Sequence, residues 1–317
     1  MIIGIDAMGG DHAPSAVVEG AVEAEKVLEA GDHILLIGDK EKIISLLKAH
    51  DYSGSIIKIK HAAELIAMDD QPTRSFSEKP DSSMNMGFQL LKNGKIDSFS
   101  SAGNTGVMLV GSFYEIGVIK GLIRPTTTAV IPKENGGNTI LLDVGTNPDV
   151  KPDVLNQFAV LGALYATCLF NIPKPKVSLL NIGSEDKKGN ILCQSTFPLL
   201  TENKEINFIG NIEGRDIFSD KSDVIVCDGF TGNVVLKQLE AVHQIMDKRT
   251  PNDEFIQRLN FENFGATPVL GINKPVLIGH GISGAKAFKN MILSSKKLFN
   301  AKLKDKICEK LTKNIVL

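Results

Sequence analysis

Read from its first residue, the chain alternates short apolar runs with longer stretches in which apolar residues recur every three or four positions. Runs at 2–7, 33–37, 56–59, 97–101, 127–131, 139–143, 176–181, 206–210, 224–227 and 275–279 have the length and branched-residue content of strands. Helical spacing occupies 15–28, 40–48, 82–91, 105–119, 154–169, 191–200, 232–247, 254–259 and 285–298. Strand followed by helix, many times over, predicts an α/β fold with a mainly parallel sheet and helices on both faces. Ligands of such sheets bind beyond the carboxyl ends of the strands, so the residues just after each strand are the first candidates for chemistry.

Punctuation between the runs is sparse. No Gly/Ser-rich or Pro-rich linker divides the chain, and 1–317 reads as a single α/β domain. The stretch 72–80 reads as a surface loop. Asn135-Gly136-Gly137-Asn138 predicts a tight hairpin turn. Thr250-Pro251-Asn252-Asp253 separates two helices, with Asp253 as an N-cap. The uncharged run 154–170 sits at the lower length limit for a membrane span, but it contains Asn156, Gln157, Tyr165 and Thr167. It reads as a buried core or subunit-interface helix.

Composition removes several function classes. Of 317 residues, 43% are apolar and 23% charged, as in a soluble globular protein. A net charge of −2 from 35 basic and 37 acidic residues argues for neither nucleic acid nor anionic lipid as a partner. Cys168, Cys193, Cys227 and Cys308 are scattered with no CxxC spacing, so no zinc or redox motif is expected, and a reducing compartment fits. The first residues carry neither a basic segment nor a cleavage site. The expected location is cytoplasmic, and neither metal nor cofactor is expected.

The chemistry-bearing residues follow strands. Asp6, Gly9, Gly10, Asp11 and His12 end the first; the His12 imidazole serves as acid or base, or caps the next helix. Gly103-Asn104-Thr105-Gly106 and Gly229-Phe230-Thr231-Gly232, the latter between Asp228 and Asn233, are two Gly-x-Thr-Gly turns that open helices. Backbone N–H groups there suit an anion; the simpler reading is a tight turn capped by threonine. Gly279-His280-Gly281-Ile282-Ser283-Gly284 fits GxGxxG, yet one helix and no strand is expected after it, so a dinucleotide site lacks its ribose-binding carboxylate. It reads as a third anion-binding or close-packing turn. Asp143, with Asn147 four residues on, either orients a basic side chain or caps its own turn. The loop 183–190 holds Glu185, Lys187 and Lys188, and is a solvated surface or a cationic anchor for an anion. Cys227 is read as a buried structural thiol rather than a nucleophile.

These segments together resemble the bacterial phosphate acyltransferase family (acyl-carrier-protein:phosphate acyltransferase, PlsX). The resemblance rests on Asp6-Ala-Met-Gly-Gly-Asp-His-Ala-Pro14, Asp81-Ser-Ser-Met84, Ser101-Ala-Gly-Asn-Thr-Gly106, Leu142-Asp-Val-Gly145 with Lys151-Pro152, Glu185-Asp-Lys-Lys-Gly-Asn190, Asn207-Phe-Ile-Gly-Asn211, Asp228-Gly-Phe-Thr-Gly-Asn233 and Gly279-His-Gly281, in order along nearly the whole chain. It implies a Rossmann-like α/β/α sandwich related to phosphotransacetylases and the isocitrate dehydrogenase group, a homodimer, and conversion of acyl-[acyl carrier protein] and inorganic phosphate into acyl phosphate for phospholipid synthesis. Under it, Asn104 and Lys187 face the phosphate, the two Gly-x-Thr-Gly turns hold phosphate and oxyanion, and His12 or His280 handles protons. Two departures stand out. Only Arg74 and Lys79 are basic ahead of Asp81, which weakens steering of an acidic carrier protein there. The segment 234–264 is shorter than in many relatives, where it is associated with peripheral membrane contact; core or dimer packing is the simpler expectation. The rival readings are an acyl-coenzyme A:phosphate acyltransferase, a nicotinamide-dependent dehydrogenase of related fold, and a non-catalytic carrier-protein-binding protein.

Overall fold

The computed structural model describes residues 1–315, with side chains to residue 311. The chain begins β1 (Ile2–Asp6), α1 (Ser15–Glu25), β2 (His33–Gly38), α2 (Lys40–Ala49), β3 (Ile57–His61), α3 (Pro72–Glu78), α4 (Ser83–Lys92), β4 (Ser98–Ser101) and α5 (Thr105–Gly111). It continues β5 (Thr126–Pro132), β6 (Asn138–Leu142), α6 (Pro152–Phe170), β7 (Lys176–Asn181), α7 (Ile191–Glu202), β8 (Asn207–Glu213), β9 (Val224–Val226), α8 (Gly229–Arg249) and α9 (Glu254–Arg258). Then come β10 (Thr267–Leu270), β11 (Val276–Ile278), α10 (Ala285–Asn300) and α11 (Leu303–Ile315).

These elements form two compact units. The first is Met1–Val118 with Phe261–Lys302; the second is Ile119–Asn260 with the chain from Leu303 onward. Each is assembled from separate stretches of chain, so no linker marks a division that the sequence reads as one domain.

In the first unit the strands run in the order β3-β2-β1-β4-β11-β10, parallel except for β10, which is antiparallel to β11. Strand side chains alternate between faces. Ile34 and Leu36 join Ile3 and Ile5 against Val17, Val18 and Ala21 of α1 and Phe288 and Ile292 of α10. Leu35 and Ile37 turn the other way, to Met84, Phe88 and Leu91 of α4 and Val107 of α5. Both faces are therefore covered, as a parallel sheet requires.

The second unit has the order β5-β6-β9-β7-β8. β5 and β6 are the expected hairpin, antiparallel from Pro132↔Asn138; the remaining pairs are parallel. One face packs Leu141, Ile225 and Cys227 with Val235, Leu236 and Leu239 of α8. On the other, Gly162 of α6 comes against Val224 and Leu142. By length and composition alone α6 is apolar enough to cross a membrane. Its Val154, Leu155, Phe158, Ala159 and Leu161 are nevertheless buried within the fold, as the core reading expects. The expected Asp253 cap is present, accepting the Ile256 N–H at 3.0 Å.

Three expectations are corrected, and one strand was not foreseen. The stretch 72–80 contains α3, begun by Pro72 at its first turn, where the missing N–H costs nothing. The helix expected over 105–119 shifts after Gly111 into a π turn (Ser112–Ile116) and stops at Gly117, whose φ of 77° suits glycine. β10 escapes the pattern because Pro268 interrupts a short run. Two helices, α10 and α11, follow the 279–284 turn where one was expected; no strand follows it among the described residues.

Candidate functional site

Each unit gathers its own set of predicted residues at the carboxyl ends of its strands. In the first, β1, β4 and β11 are neighbours, and the turns leaving them meet. Asp6 is buried. Its Oδ2 accepts the Ser101 hydroxyl at 2.6 Å and its Oδ1 the Met8 N–H at 3.0 Å. Burial holds this carboxyl above the ordinary carboxylate range, with the Ser101 hydroxyl and turn N–H groups pulling the other way. Ser101 Oγ also accepts the Gly103 N–H at 2.9 Å, so one serine, not among the predicted site residues, ties the turn after β1 to the exit of β4. Gly9 is glycine because a Cβ there would enter the Asp6 carboxylate. Gly10 has a φ of 111°, and the next N–H, that of Asp11, donates to the Gly281 carbonyl at 2.7 Å. Asp11 and His12 are exposed on this pinned backbone. His280 lies one residue before Gly281, its ring 4.9 Å from that of Phe261. Ser283 is buried, with its hydroxyl unpaired among the described residues.

Asn104, expected to face phosphate, holds the structure around it together. Its Oδ1 caps α5 by accepting the Val107 N–H at 3.1 Å. Its Nδ2 donates to the carbonyls of Ala67, Met68 and Asp70 at 3.3, 3.0 and 2.9 Å. The amide is thus spent on holding the 67–70 loop to a helix end. Gly106 leaves room for the Pro72 ring of α3, so this turn is packed over, while Thr105 remains exposed.

In the second unit, β6 and β9 deliver the other set. Asp143 follows a cis peptide bond from Leu142 and is fully buried. Its carboxylate accepts five donors. Oδ1 takes the Gly145 and Thr146 N–H groups and the Thr127 hydroxyl at 3.2, 3.0 and 3.2 Å. Oδ2 takes the Asn147 N–H and side-chain amide, both at 2.7 Å. Of its two expected roles, capping its own turn is the one observed.

Asp228 caps α8, accepting the Thr231 N–H at 2.8 Å and the Thr231 hydroxyl at 2.7 Å. The Gly229 N–H goes to the Asn147 carbonyl at 2.8 Å. Gly232 is needed because a Cβ would run into the Asp143 carbonyl oxygen, and Asn233 Nδ2 reaches the Val144 carbonyl at 3.1 Å. The expected anion cradle at 229–233 is therefore largely consumed by the protein's own acceptors, and a carboxylate already sits at this helix end. The threonine caps are corrected too: Asn104 and Asp228, short acceptors placed before the first turn, hold those positions. Cys227 is buried with its thiol 3.6 Å from the Asp143 carbonyl; burial first, then the Asp228 and Asp143 charges, push it well above the usual thiol range. That is the structural thiol expected.

The loop leaving β7 is held by backbone anchors. Asn181 Nδ2 donates to the Lys188 carbonyl at 3.1 Å, and Asn211 Nδ2 to the Glu185 carbonyl at 2.9 Å. Asn190 caps α7, accepting the Cys193 N–H at 2.9 Å. Glu185 and Lys188 pair at 3.6 Å, whereas Lys187 is exposed. Among the predicted residues of this unit, Lys187 is the cation whose ammonium is not engaged with a carboxylate among the described residues.

Of the groups with chemical potential, Asp6, Asn104, Asp143, Asp228 and Thr231 are committed to holding turns, and His12, Thr105, Glu185 and Lys187 are presented outward. Ser101 and Asn211 lie in motifs that the sequence offered, and Asn181 ends β7, but their supporting roles come only from strand adjacency.

A family model described as fatty acid synthesis protein matches residues 1–306. The chain is 40% identical to the phosphate acyltransferase of Dictyoglomus turgidum (strain DSM 6724 / Z-1310), over 99% of this chain and 98% of that protein. It is 41% identical to the phosphate acyltransferase of Acetivibrio thermocellus, over 97% and 95% respectively. Among solved structures, a phosphotransacetylase from Streptococcus pyogenes aligns with a TM-score of 0.65 at 17% identity, covering 95% of this chain and 94% of that one, which establishes a shared α/β fold. Two sets of strand-end turns, on a fold of that kind and in a chain matched end to end, lead to one conclusion: the protein belongs to the phosphate acyltransferase family, a family of acyltransferase enzymes.

Proposed function

We propose that the protein transfers a fatty acyl group from acyl-[acyl carrier protein] to inorganic phosphate, releasing acyl phosphate for phospholipid synthesis. The observation that carries this reading is the end-to-end match to phosphate acyltransferases. The eight motifs spread in order along the chain support it.

In the proposed reaction a phosphate oxygen attacks the thioester carbonyl carbon. The new C–O bond forms, the C–S bond breaks, and its electron pair leaves on sulfur. The phosphate proton passes to the thiolate, so little general acid help is needed. No enzyme nucleophile is required, in keeping with a Cys227 thiol held far from thiolate character. Lys187 supplies positive charge to phosphate in the second unit. His12 or His280 handles protons. Asp6, Asp143 and Asp228 hold the turns, and Glu185 fixes the loop through its carbonyl. The protein acts in the cytoplasm as a homodimer. Val242 and Ile245, exposed on α8, are the proposed contact with a second copy or with a membrane surface, whereas Val235 and Leu239 belong to the core.

The test is to incubate the protein with palmitoyl-carrier protein and phosphate and to trap acyl phosphate with hydroxylamine. Phosphate-dependent hydroxamate is the expected result. Product from palmitoyl-coenzyme A alone would replace the donor, and turnover with neither would reject the reading.

A further inference from the structure

Three of the four most exposed large apolar side chains among the described residues belong to one small region of the second unit: Ile191 at 84%, Ile182 at 82% and Phe230 at 66%. Soluble surfaces scatter such residues singly; a cluster marks contact with something apolar. The topology brings these three together. β7 and β9 are adjacent and parallel, with Leu179 opposite Val226, so the chain leaving β7 at Ile182 emerges beside the first turn of α8, where Phe230 is the second residue. Ile191 opens α7, and Cys193 in the same turn points its thiol at the Leu180 carbonyl, 3.8 Å away, at the end of β7. Ile182 and Ile191 thus bracket the loop that carries Glu185, Asp186, Lys187 and Lys188, and Phe230 stands on the helix beside it.

That loop also narrows the choice of occupant. The cores of protein interfaces are depleted in charged residues, and a subunit contact centred here would enclose four. A flexible hydrocarbon chain whose far end bears anionic groups can lie on the isoleucines and phenylalanine while leaving the charges in water.

We propose that Ile182, Ile191 and Phe230 form the surface on which the acyl chain of the thioester donor lies, with Lys187 and Lys188 at its border. This rests on the acyl-transfer reading above and adds a specificity determinant to it. Conformity with the fold favours the assignment, since substrates of parallel sheets sit at the carboxyl ends of strands.

The experiment compares wild type with Ile182→Ser/Ile191→Ser and with Phe230→Ser, using palmitoyl- and butyryl-carrier protein as donors at saturating phosphate. Because the side chains are exposed, the variants should melt with wild type. The palmitoyl-to-butyryl ratio of kcat/KM should fall about tenfold or more in each, the scale on which apolar contacts discriminate, with the molecular mass by light scattering unchanged. An unchanged ratio would overturn the assignment, as would a variant that dissociates, because the patch would then be a subunit contact. Wild type that forms no phosphate-dependent hydroxamate from either donor would instead reject the acyl-transfer reading beneath it.

Discussion

The two Gly-x-Thr-Gly turns carry the same letters in different frames. At 103–106 the helix starts on the threonine, capped by the motif's own second residue, Asn104. At 229–232 it starts on the first glycine, capped by Asp228 just outside the motif, and the threonine becomes the third helical residue. The frame is set by whichever short side chain can accept the early N–H groups, not by glycine spacing. The last glycines differ in the same way. Gly106 yields to the Pro72 ring of a neighbouring short helix, Gly232 to the Asp143 backbone of a neighbouring strand. A repeated glycine motif therefore reports close approach, and the neighbour decides what the approach is for.

The sharpest test of that comparison is substitution of the two glycines. Gly232→Ala sets a methyl group against a carbonyl fixed by sheet pairing and should cost about 3 kcal/mol or more. Gly106→Ala should cost about 1–2 kcal/mol, because a proline ring on a seven-residue helix can move aside. Urea unfolding of both measures the gap, and equal losses would mean that the nature of the neighbour is irrelevant.

Next in size are the caps. Asn104→Ala removes a cap and three loop anchors, for about 2 kcal/mol; Asp228→Ala removes a cap alone, for about 1 kcal/mol. Thermal denaturation orders them. If Asn104→Ala melts with wild type yet raises the phosphate KM, the side chain serves a ligand after all.

If both turns are internal fixtures, the phosphate charge must be met elsewhere. Lys187→Ala should then raise the phosphate KM about tenfold, the scale of one charge-assisted hydrogen bond, with no change in melting temperature. A wild-type KM would return the anion to the turns.

The smallest effect concerns the carboxylates beneath them. Asp143 accepts five donors, Asp6 a hydroxyl and turn N–H groups, and burial raises Asp6. A raised folded value means the fold favours the protonated acid. That contribution is whole below the ordinary carboxylate value of about 4 and is lost as pH rises through the higher folded value. Asp6→Asn should therefore gain on wild type in melting temperature between pH 4 and 7; a difference independent of pH would show that Asp6 ionises in the fold as it does in the unfolded chain.

Much of the fold was legible beforehand. The strands of both sheets except β10 lie where periodicity places them, as do the helices except α3, α11 and the latter part of the one expected over 105–119, because burial on one face imposes a repeat that local sequence must carry. α3 was hidden by a proline read as a loop signal, β10 by Pro268, and α11 by a run too charged to stand out from a solvated tail. The site was legible as a set of positions and less so as a set of roles. Asn104 looked like a ligand residue because motif and strand end point that way, and nothing in the letters shows that the 67–70 carbonyls lie within reach of its amide.

Sequence alone thus determined the alternating architecture, the family and the strand ends where function gathers, since these depend on local periodicity and on motifs written contiguously. Tertiary structure alone decided which polar groups are already satisfied. A hydrogen bond spends a donor on whichever acceptor folding brings near, and for Asp6 with Ser101, Asn104 with residues 67–70, and Gly229 with Asn147 that partner is distant in the chain.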